Sequence, residues 1–318
     1  MLNIKGYLDE LNSISKSNGG FSLFISGISS EERFLRGYEL LKDNEVEIDK
    51  KMIFYFEEVL SSEIMEPHSE EYFDRSFEIT DSDIKIHVNL YEEMDGLRRF
   101  RECLDSISHD IEGTNIAIDI SVLVKPYFFL LLKHLTDYNF NEINLIYTEP
   151  NTYQTFTRGT MNAKDIPGYS GRKDFDKKEA LAVLLGFEGY RTNEIYDQVN
   201  PELTIPINGF PSYKPEFKDK SILQNKELLL EEDIFINMRY APAHDPFMTC
   251  EVLNEIYSLY KSEYNLSITP LGTKPMALGS CFFVLQNTDC RVIYPYPLEY
   301  YPKSSLGFNT TWLYAIHM

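Results

Sequence analysis

Residues 21–41 read FSLFISGISSEERFLRGYELL, and this stretch decides the fold prediction. Its first five residues are apolar except for Ser22, which is typical of a buried strand. Gly27 permits a tight turn, and residues 31–41 space their apolar side chains as a helix does. The stretch therefore predicts a strand, a glycine turn and a helix in succession.

Further apolar segments follow at regular intervals, and helical patterns separate them. Strands are predicted at residues 52–56, 84–90, 116–120 and 143–147, and helices at residues 97–107 and 126–135. Because strands and helices alternate, the sequence predicts an α/β fold with mainly parallel, doubly wound sheets.

The same order of elements returns from about residue 180, which predicts two degenerate Rossmann-like halves. Gly186 takes the place of Gly27, and Arg191 takes that of Arg33. Three more matches pair residues 86–89 with 234–237, Lys125-Pro126 with Lys274-Pro275, and residues 146–153 with 293–300. Matches of non-hydrophobic residues in one order indicate an internal duplication.

The length of the chain indicates how many domains it has, and its charge limits the classes of partner that it can bind. With 318 residues, of which 43% are hydrophobic, the chain is long enough for two cores. The predicted halves are residues 1–160 and 179–318, joined by a connector at 161–178. The formal charge of -20 argues against duplex DNA as a partner, because duplex binding needs many Lys and Arg contacts with phosphates.

Cysteine and histidine spacing predicts neither a metal nor a disulfide framework. The four cysteines are far apart in the sequence, and no Cys/His cluster has zinc spacing. No Walker loop or dinucleotide Gly-x-Gly-x-x-Gly occurs, so no cofactor is expected. The longest apolar block, residues 127–132, is too short to span a bilayer, and no signal peptide is recognised, so a cytoplasmic protein without membrane contact is expected.

Ligands of doubly wound sheets bind outside the carboxyl ends of the strands. Residues that recur in both halves are predicted to lie at these ends: Gly27, Gly186, Asn89, Asn237, Lys125 and Lys274. The carboxyl ends of the strands are therefore the predicted ligand site.

The strongest local signal is TPLGTKPMALG at residues 269–279. Thr273 can cap a helix, Pro275 suits the first helical turn, and Gly272 permits close backbone approach. Such a helix N-terminus attracts an anion, and Lys274 adds a balancing charge, so a phosphate ligand is predicted. The alternative is a capped strand-to-helix turn with a solvated lysine. Lys125 carries a weaker prediction because its loop lacks glycine.

The Gly-Thr-Lys-x-Met pattern at residues 272–276 resembles a segment of the CRISPR-associated Rossmann fold sensors. The duplicated unit resembles the SAVED domain of related antiviral systems. Both families bind cyclic oligonucleotides across a two-fold or pseudo-two-fold cleft. The resemblance implies that Gly272, Thr273, Lys274 and Met276 line a ligand cleft, and that the protein acts in bacterial antiviral defence. The first half lacks the Gly-Thr pair and no effector motif is appended, so signalling to a partner effector protein is implied.

Tyrosines after the fifth predicted strand of each half give a second signal. Tyr147, Tyr294 and Tyr300 could stack nucleobases or donate hydrogen bonds to phosphates. They could equally fill the core.

An enzyme is the main alternative to a sensor. His244 and Asp245, predicted to lie near Asn237, could act as general acid and base on a bound nucleotide, which would make the protein a nucleotide-cleaving hydrolase. The competing interpretation is an Asp-Pro turn with an adjacent surface histidine. A third hypothesis is a non-catalytic scaffold subunit of a defence complex, in which both sites are vestigial.

Overall fold

A computed structural model describes residues 4–11, 19–61, 69–154, 157–159, 162–231, 233–301 and 304–317. They form an α/β protein, as predicted. The chain divides into two compact units. The split unit comprises Ile4–Arg158 with Glu299–Met318, and the continuous unit comprises Gly159–Leu298.

The first part of the split unit alternates strands and helices along the chain. Its elements are β1 (Lys5–Glu10), β2 (Leu23–Gly27), α1 (Arg36–Asp43), β3 (Lys51–Phe56), α2 (Glu57–Leu60), α3 (Glu70–Ser76), β4 (Ile84–Val88), α4 (Glu93–Ile111), β5 (Asn115–Asp119), α5 (Lys125–Leu135), β6 (Glu142–Tyr153) and β7 (Thr157–Arg158). A short 3-10 helix, Glu32–Phe34, precedes α1.

The continuous unit repeats this alternation. Its elements are β8 (Asn162–Asp165), β9 (Lys178–Leu184), α6 (Gly189–Val199), β10 (Leu203–Gly209), α7 (Pro215–Gln224), α8 (Lys226–Leu229), β11 (Arg239–Ala241), α9 (Pro246–Tyr260), β12 (Tyr264–Pro270), α10 (Lys274–Gln286) and β13 (Arg291–Tyr296). The chain then returns to the split unit through β14 (Glu299–Tyr300) and β15 (Ser305–His317).

The two large sheets share a strand order. The split unit has the order β1-β15-β6-β5-β2-β3-β4, and the continuous unit has β11-β10-β9-β12-β13-β8. In both, five neighbouring strands are parallel and an antiparallel strand pairs with the fifth of them. This agreement fits the predicted duplication, which stays a prediction because unrelated doubly wound sheets use the same order.

Burial explains why these segments form strands. All five residues of β2 are buried, as are the last five of β3, and such continuous apolar runs are typical of parallel strands covered on both faces. In the continuous unit, Leu181, Val183 and Ile293 lie in one apolar cluster with Ile195 of α6. Burying each such side chain contributes about 1.5–3 kcal/mol.

The predicted domain boundaries differ from the structure at both ends of the second half. Residues 299–317 belong to the split unit, where β15 pairs with β6 and with β1. Residues 162–165, predicted to lie in a connector, form β8 and pair with β13. Short-range patterns could not reveal these three pairings, because each joins segments more than 120 residues apart.

The match of residues 234–237 to the predicted strand at residues 84–90 implied a third strand there in the second half, and this prediction was wrong. Residues 235–237 form a 3-10 helix, and the strand is β11, which begins at Arg239. Phe235 and Ile236 are 55% and 77% exposed, so this apolar run is not a buried strand. Asn237 therefore precedes β11 while Asn89 follows β4, and the two asparagines are not equivalent.

Two further findings concern cysteines and helix length. None of the four cysteines, all within described segments, forms a disulfide, and Cys250, Cys281 and Cys290 are buried. In the part of the chain that the structure describes, no helix combines the length and apolarity needed to cross a bilayer.

Candidate functional site

In each large sheet, successive strands of the chain are first added on one side of the first parallel strand and then on its other side. In the split unit the chain runs from β2 to β3 and β4 on one side, then crosses to β5 on the other; β9 and β12 mark the same reversal in the continuous unit. Loops leaving the two central strands diverge at their carboxyl ends, so ligands of doubly wound folds bind there. We refer to these places as the switch points of the two units.

The loop between β12 and α10, residues 271–273, lies at the switch point of the continuous unit. The Thr273 hydroxyl accepts a hydrogen bond from the Met276 amide at 3.3 Å, so the predicted helix cap is confirmed. The same hydroxyl donates to the Ala243 carbonyl at 2.5 Å, which joins this loop to the loop after β11. Lys274 is the first residue of α10 and is half-buried.

Glycines at this switch point and at the end of the neighbouring strand β10 make room for a buried methionine. A Cβ added to Gly272 would lie 3.1 Å from the Met276 sulfur, and one added to Gly209 would lie 3.3 Å from the same atom. Met276 has no exposed surface. It is therefore a core side chain beneath the loop, and the ligand contact that the resemblance implied for Met276 does not fit this position.

Gly186 and Gly27 lie at the two switch points, as predicted, but both are closely packed. A Cβ on Gly186 would lie 2.3 Å from the Leu271 carbonyl oxygen. A Cβ on Gly27 would lie 2.9 Å from the Phe56 ring and 3.0 Å from Leu123. Both glycines therefore permit close packing between strand ends and loops.

The matching loop in the split unit, residues 121–124, has different side chains. Val124 precedes α5 and makes no side-chain cap, and Leu123 is fully buried. Lys125 is the first residue of α5 and is half-buried, so its position matches that of Lys274. The two predicted lysines thus share a place in the fold, while only Lys274 follows a capping hydroxyl.

Asn89 lies at the carboxyl end of β4 and shapes a turn. Its side-chain oxygen accepts a hydrogen bond from the Tyr91 amide at 2.9 Å, and its carbonyl accepts one from the Tyr127 hydroxyl at 2.8 Å. Tyr300 lies near the same turn, because its amide donates to the Tyr91 hydroxyl at 3.2 Å and the two rings are 5.9 Å apart. Asn89 and Tyr300 therefore have structural partners within the split unit.

Tyr147 and Tyr294 are buried beneath two arginines. The Arg33 guanidinium lies 5.7 Å from the centre of the Tyr147 ring, and that of Arg191 lies 5.2 Å from the Tyr294 ring. Tyr147 is 1% exposed and Tyr294 is 4% exposed. Both tyrosines thus fill the core, which was the alternative to ligand stacking.

The two arginines make matching polar contacts. Arg33 donates to Glu31 at 2.8 Å and to the carbonyl of Thr148 at 2.9 Å. Arg191 donates to Glu188 at 2.7 Å and also to the carbonyl of Pro295. In each unit a buried arginine therefore ties the first crossover to the residue after the buried tyrosine. The recurrence of Arg33 and Arg191 signalled this pair, but the sequence did not reveal the partners.

The predicted catalytic residues are not assembled together. Asp245 caps α9 by accepting a hydrogen bond from the Met248 amide at 3.0 Å, which fits the Asp-Pro turn. His244 is half-buried, and burial lowers its pKa while the neighbouring Asp245 carboxylate opposes that shift. Asn237 precedes the parallel strand β11, so it lies toward the amino ends of the strands, whereas His244 and Asp245 follow β11. Its side-chain amide donates to the Asp233 carbonyl at 3.2 Å.

Sequence reasoning missed an aromatic and cationic cluster at the same edge as α10's N-terminus. Phe210 follows β10, Tyr240 lies in β11, and the Lys218 ammonium of α7 lies over both rings. The available signal was three lysines within residues 214–220, with Phe217 among them, in a strongly acidic chain.

Among the described residues, no group of three or more His, Cys, Asp and Glu side chains is placed to hold a metal ion. No protein-family model matches the chain, and no curated protein matches its sequence.

Proposed function

We propose that this protein binds a nucleotide-derived phosphate ligand at the switch point of the continuous unit and passes the bound state to a partner protein. The observation that carries the proposal is the position of Lys274, the first residue of a Thr273-capped helix beside the strand-order reversal. A helix N-terminus at a switch point is a common phosphate site in doubly wound folds.

Charge supports an anionic ligand at this place. The 13-residue α10 directs the positive end of its dipole toward the loop, and Lys274 adds a full positive charge there. No acidic residue lies in the first turn of α10. The helix dipole and Lys274 thus place positive charge at this loop in a chain whose formal charge is -20.

The resemblance to CRISPR-associated Rossmann fold and SAVED sensors narrows the ligands to test first. Cyclic oligonucleotides combine several phosphates with several bases, and they are the second messengers of those families. A role in bacterial antiviral defence, with an effector supplied by a partner protein, follows from the same resemblance and belongs to the proposal.

Binding is favoured over hydrolysis by the placement of the candidate acid and base. Asp245 is engaged as a helix cap, and Asn237 lies on the other side of β11 from His244. A hydrolase would need a general base beside the bound phosphate or glycosidic bond. These three residues do not provide that arrangement.

Thermal unfolding in the presence of mononucleotides, dinucleotides and cyclic oligonucleotides tests the proposal. A ligand present at 100 times its dissociation constant stabilises the folded state by about 2.7 kcal/mol. We expect a selective rise in Tm that is lost in Lys274→Ala and kept in the matched variant Lys125→Ala. An equal loss in both variants, or no shift with any ligand, would contradict the proposed site.

Product analysis of the same mixtures separates the alternatives. Unchanged ligand, with binding intact in His244→Ala, is the result expected of a sensor. Accumulating cleavage products that disappear in His244→Ala would indicate the hydrolase. Absence of both binding and turnover would favour the scaffold.

A further inference from the structure

Two exposed aromatic rings and a lysine form a cluster at the carboxyl edge of the continuous unit. Phe210 is 51% exposed and Tyr240 is 44% exposed, and their ring centres are 6.1 Å apart at an interplanar angle of 74°. The Lys218 ammonium lies 5.2 Å from the Phe210 ring centre and 6.0 Å from that of Tyr240. We call these three residues the aromatic platform.

Backbone contacts fix the platform beside the switch point. The Phe210 amide donates to the carbonyl of Ala241 at 2.8 Å, and the Ala243 amide donates to the carbonyl of Pro211 at 2.9 Å. Ala243 also accepts the hydroxyl hydrogen bond of Thr273. The segment carrying Phe210 and the N-terminal cap of α10 are therefore both bonded to one residue, Ala243.

The charge of the platform suits a phosphate-bearing ligand. Among the described residues, no ion pair includes Lys218, and its ammonium instead lies over the faces of the two rings. Lys214 and Lys220 lie on the same segment, and Lys220 is 4.5 Å from the centre of the Phe187 ring. Aromatic rings interleaved with cations are the usual surface for unpaired nucleotides, since rings stack the bases and cations meet the phosphates.

We propose that Phe210, Tyr240 and Lys218 form a nucleobase-binding subsite, so that the ligand of the switch point carries an unpaired base beside its phosphates. This inference rests on the proposed function, because it assigns the base of the ligand whose phosphate meets Lys274. A base-free phosphate or sugar phosphate would use only the α10 end of the edge. An apolar peptide partner fits less well, because it would bury the Lys218 charge beside the two rings without a polar partner.

A triphosphate whose base is the fluorescent analogue 2-aminopurine tests the subsite, because stacking on aromatic rings quenches its emission. We expect quenching on binding to the full-length protein. Phe210→Leu and Tyr240→Leu should each weaken binding roughly 10-fold and reduce the quenching, as expected for loss of one stacking contact. Phe175→Leu is the matched control, because Phe175 is 89% exposed but precedes β9 at the other edge of the same sheet.

Inorganic tripolyphosphate and Lys274→Ala make the outcomes distinguishable. If tripolyphosphate binds as tightly as the 2-aminopurine probe, the bound probe is not quenched and both compounds need Lys274, the base subsite is overturned and the phosphate site remains. Quenching that depends on Phe210 and Tyr240 but survives Lys274→Ala would support the subsite and contradict the phosphate contact. No binding of either compound would overturn both, and an equal loss in Phe175→Leu would overturn the subsite by showing nonspecific adsorption. Because all three substituted aromatic side chains are exposed, their variants should keep the Tm of the unsubstituted protein, which verifies folding.

Discussion

The loops before α10 and α5 lie at the same place in two sheets of the same strand order, yet they differ in their polar groups. Gly272 and Thr273 precede Lys274, whereas Leu123 and Val124 precede Lys125. Thr273 caps its helix and bonds to the loop after β11, while Val124 makes no side-chain cap. The two lysines thus share a place in the fold but differ in the residues that precede them, and the proposed function assigns a phosphate only to the capped loop before α10.

A second comparison shows what the two units keep in common. Arg33 and Arg191 are both 4% exposed, and each bonds to a carboxylate and to the carbonyl after a buried tyrosine. This contact network stabilises the first crossover in both units, independently of how the switch loops differ. The core contact is shared while the loop chemistry diverges, as expected if only one switch point binds a ligand.

The largest expected effect comes from removing these arginines. Arg33→Ala and Arg191→Ala should each destabilise the protein by about 3–5 kcal/mol, because each leaves a largely buried carboxylate without its cation. Denaturant unfolding followed by circular dichroism measures both, and the fluorescence of Trp312, the single tryptophan, reports on the split unit. Arg158→Ala, which loses only an exposed ion pair with Glu299, should cost less than about 1 kcal/mol. If either buried arginine could be replaced at a cost as small as that of Arg158→Ala, the claim that both units depend on the same arginine contacts would be contradicted.

The next effect concerns a buried carboxyl group of the split unit. Glu149 is 6% exposed, and its carboxylate accepts a hydrogen bond from the Trp312 indole at 2.6 Å. Burial raises the pKa of Glu149 from 4.5 to about 7, opposed by the Trp312 hydrogen bond and aided by the charge of Glu10. In the predicted alignment of the halves, the corresponding residue of the continuous unit is Tyr296, which carries no carboxyl group.

The raised pKa gives Glu149 a defined pH dependence. The folded state binds its proton more tightly than the unfolded state does, so this contribution to stability is complete below about pH 4.5 and is lost as the pH rises toward 7. Glu149→Gln should remove that loss and, at pH 8, exceed the original protein in stability by up to about 3 kcal/mol, since one pKa unit corresponds to about 1.4 kcal/mol. The difference in unfolding free energy between the two proteins, measured from pH 4 to 8 by Trp312 fluorescence, checks this. A difference that stays constant with pH would contradict the assignment.

The smallest expected effect sharpens the comparison of the two switch loops directly. Thr273→Val should destabilise the protein by about 1–2 kcal/mol, because it removes the helix cap and the bond to Ala243. The reciprocal change Val124→Thr should stabilise by at most about 1 kcal/mol, through a new cap on α5. Thr273→Ser serves as the control that keeps the hydroxyl. Changes of the same sign in the two reciprocal variants would show that the loops do not differ in the way described.

The sequence predicted most of the strands that are buried on both faces, because their continuous apolar runs leave few alternatives. The helix beginning at Lys274 was also predicted correctly, since Thr273 and Pro275 are strong local signals. Residues 234–237 misled the prediction because the three-residue apolar run 234–236 does not reveal whether it is buried. The return of β15 to the split unit and the arginine partners could not be predicted, because they depend on pairing between distant segments.

The aromatic platform was missed for a related reason. Phe210 and Tyr240 are 30 residues apart in the sequence and meet only because β10 and β11 are neighbouring parallel strands. Lys218, on the helix that follows β10, completes the cluster. The lysines of residues 214–220 marked only the cationic part of the cluster, and no local pattern joins Phe210 to Tyr240, so the cluster is visible only in the three-dimensional structure.

Hydrogen exchange with and without a bound nucleotide tests the central claim most directly. At saturating concentrations of the tightest ligand in the thermal panel, amides of residues 271–277 should gain protection, together with those of residues 208–213 and 240–244. Residues 121–127, at the matching loop of the split unit, should exchange at an unchanged rate. Protection of residues 121–127 without protection of residues 271–277 would contradict the claim that the continuous unit's switch point binds the ligand.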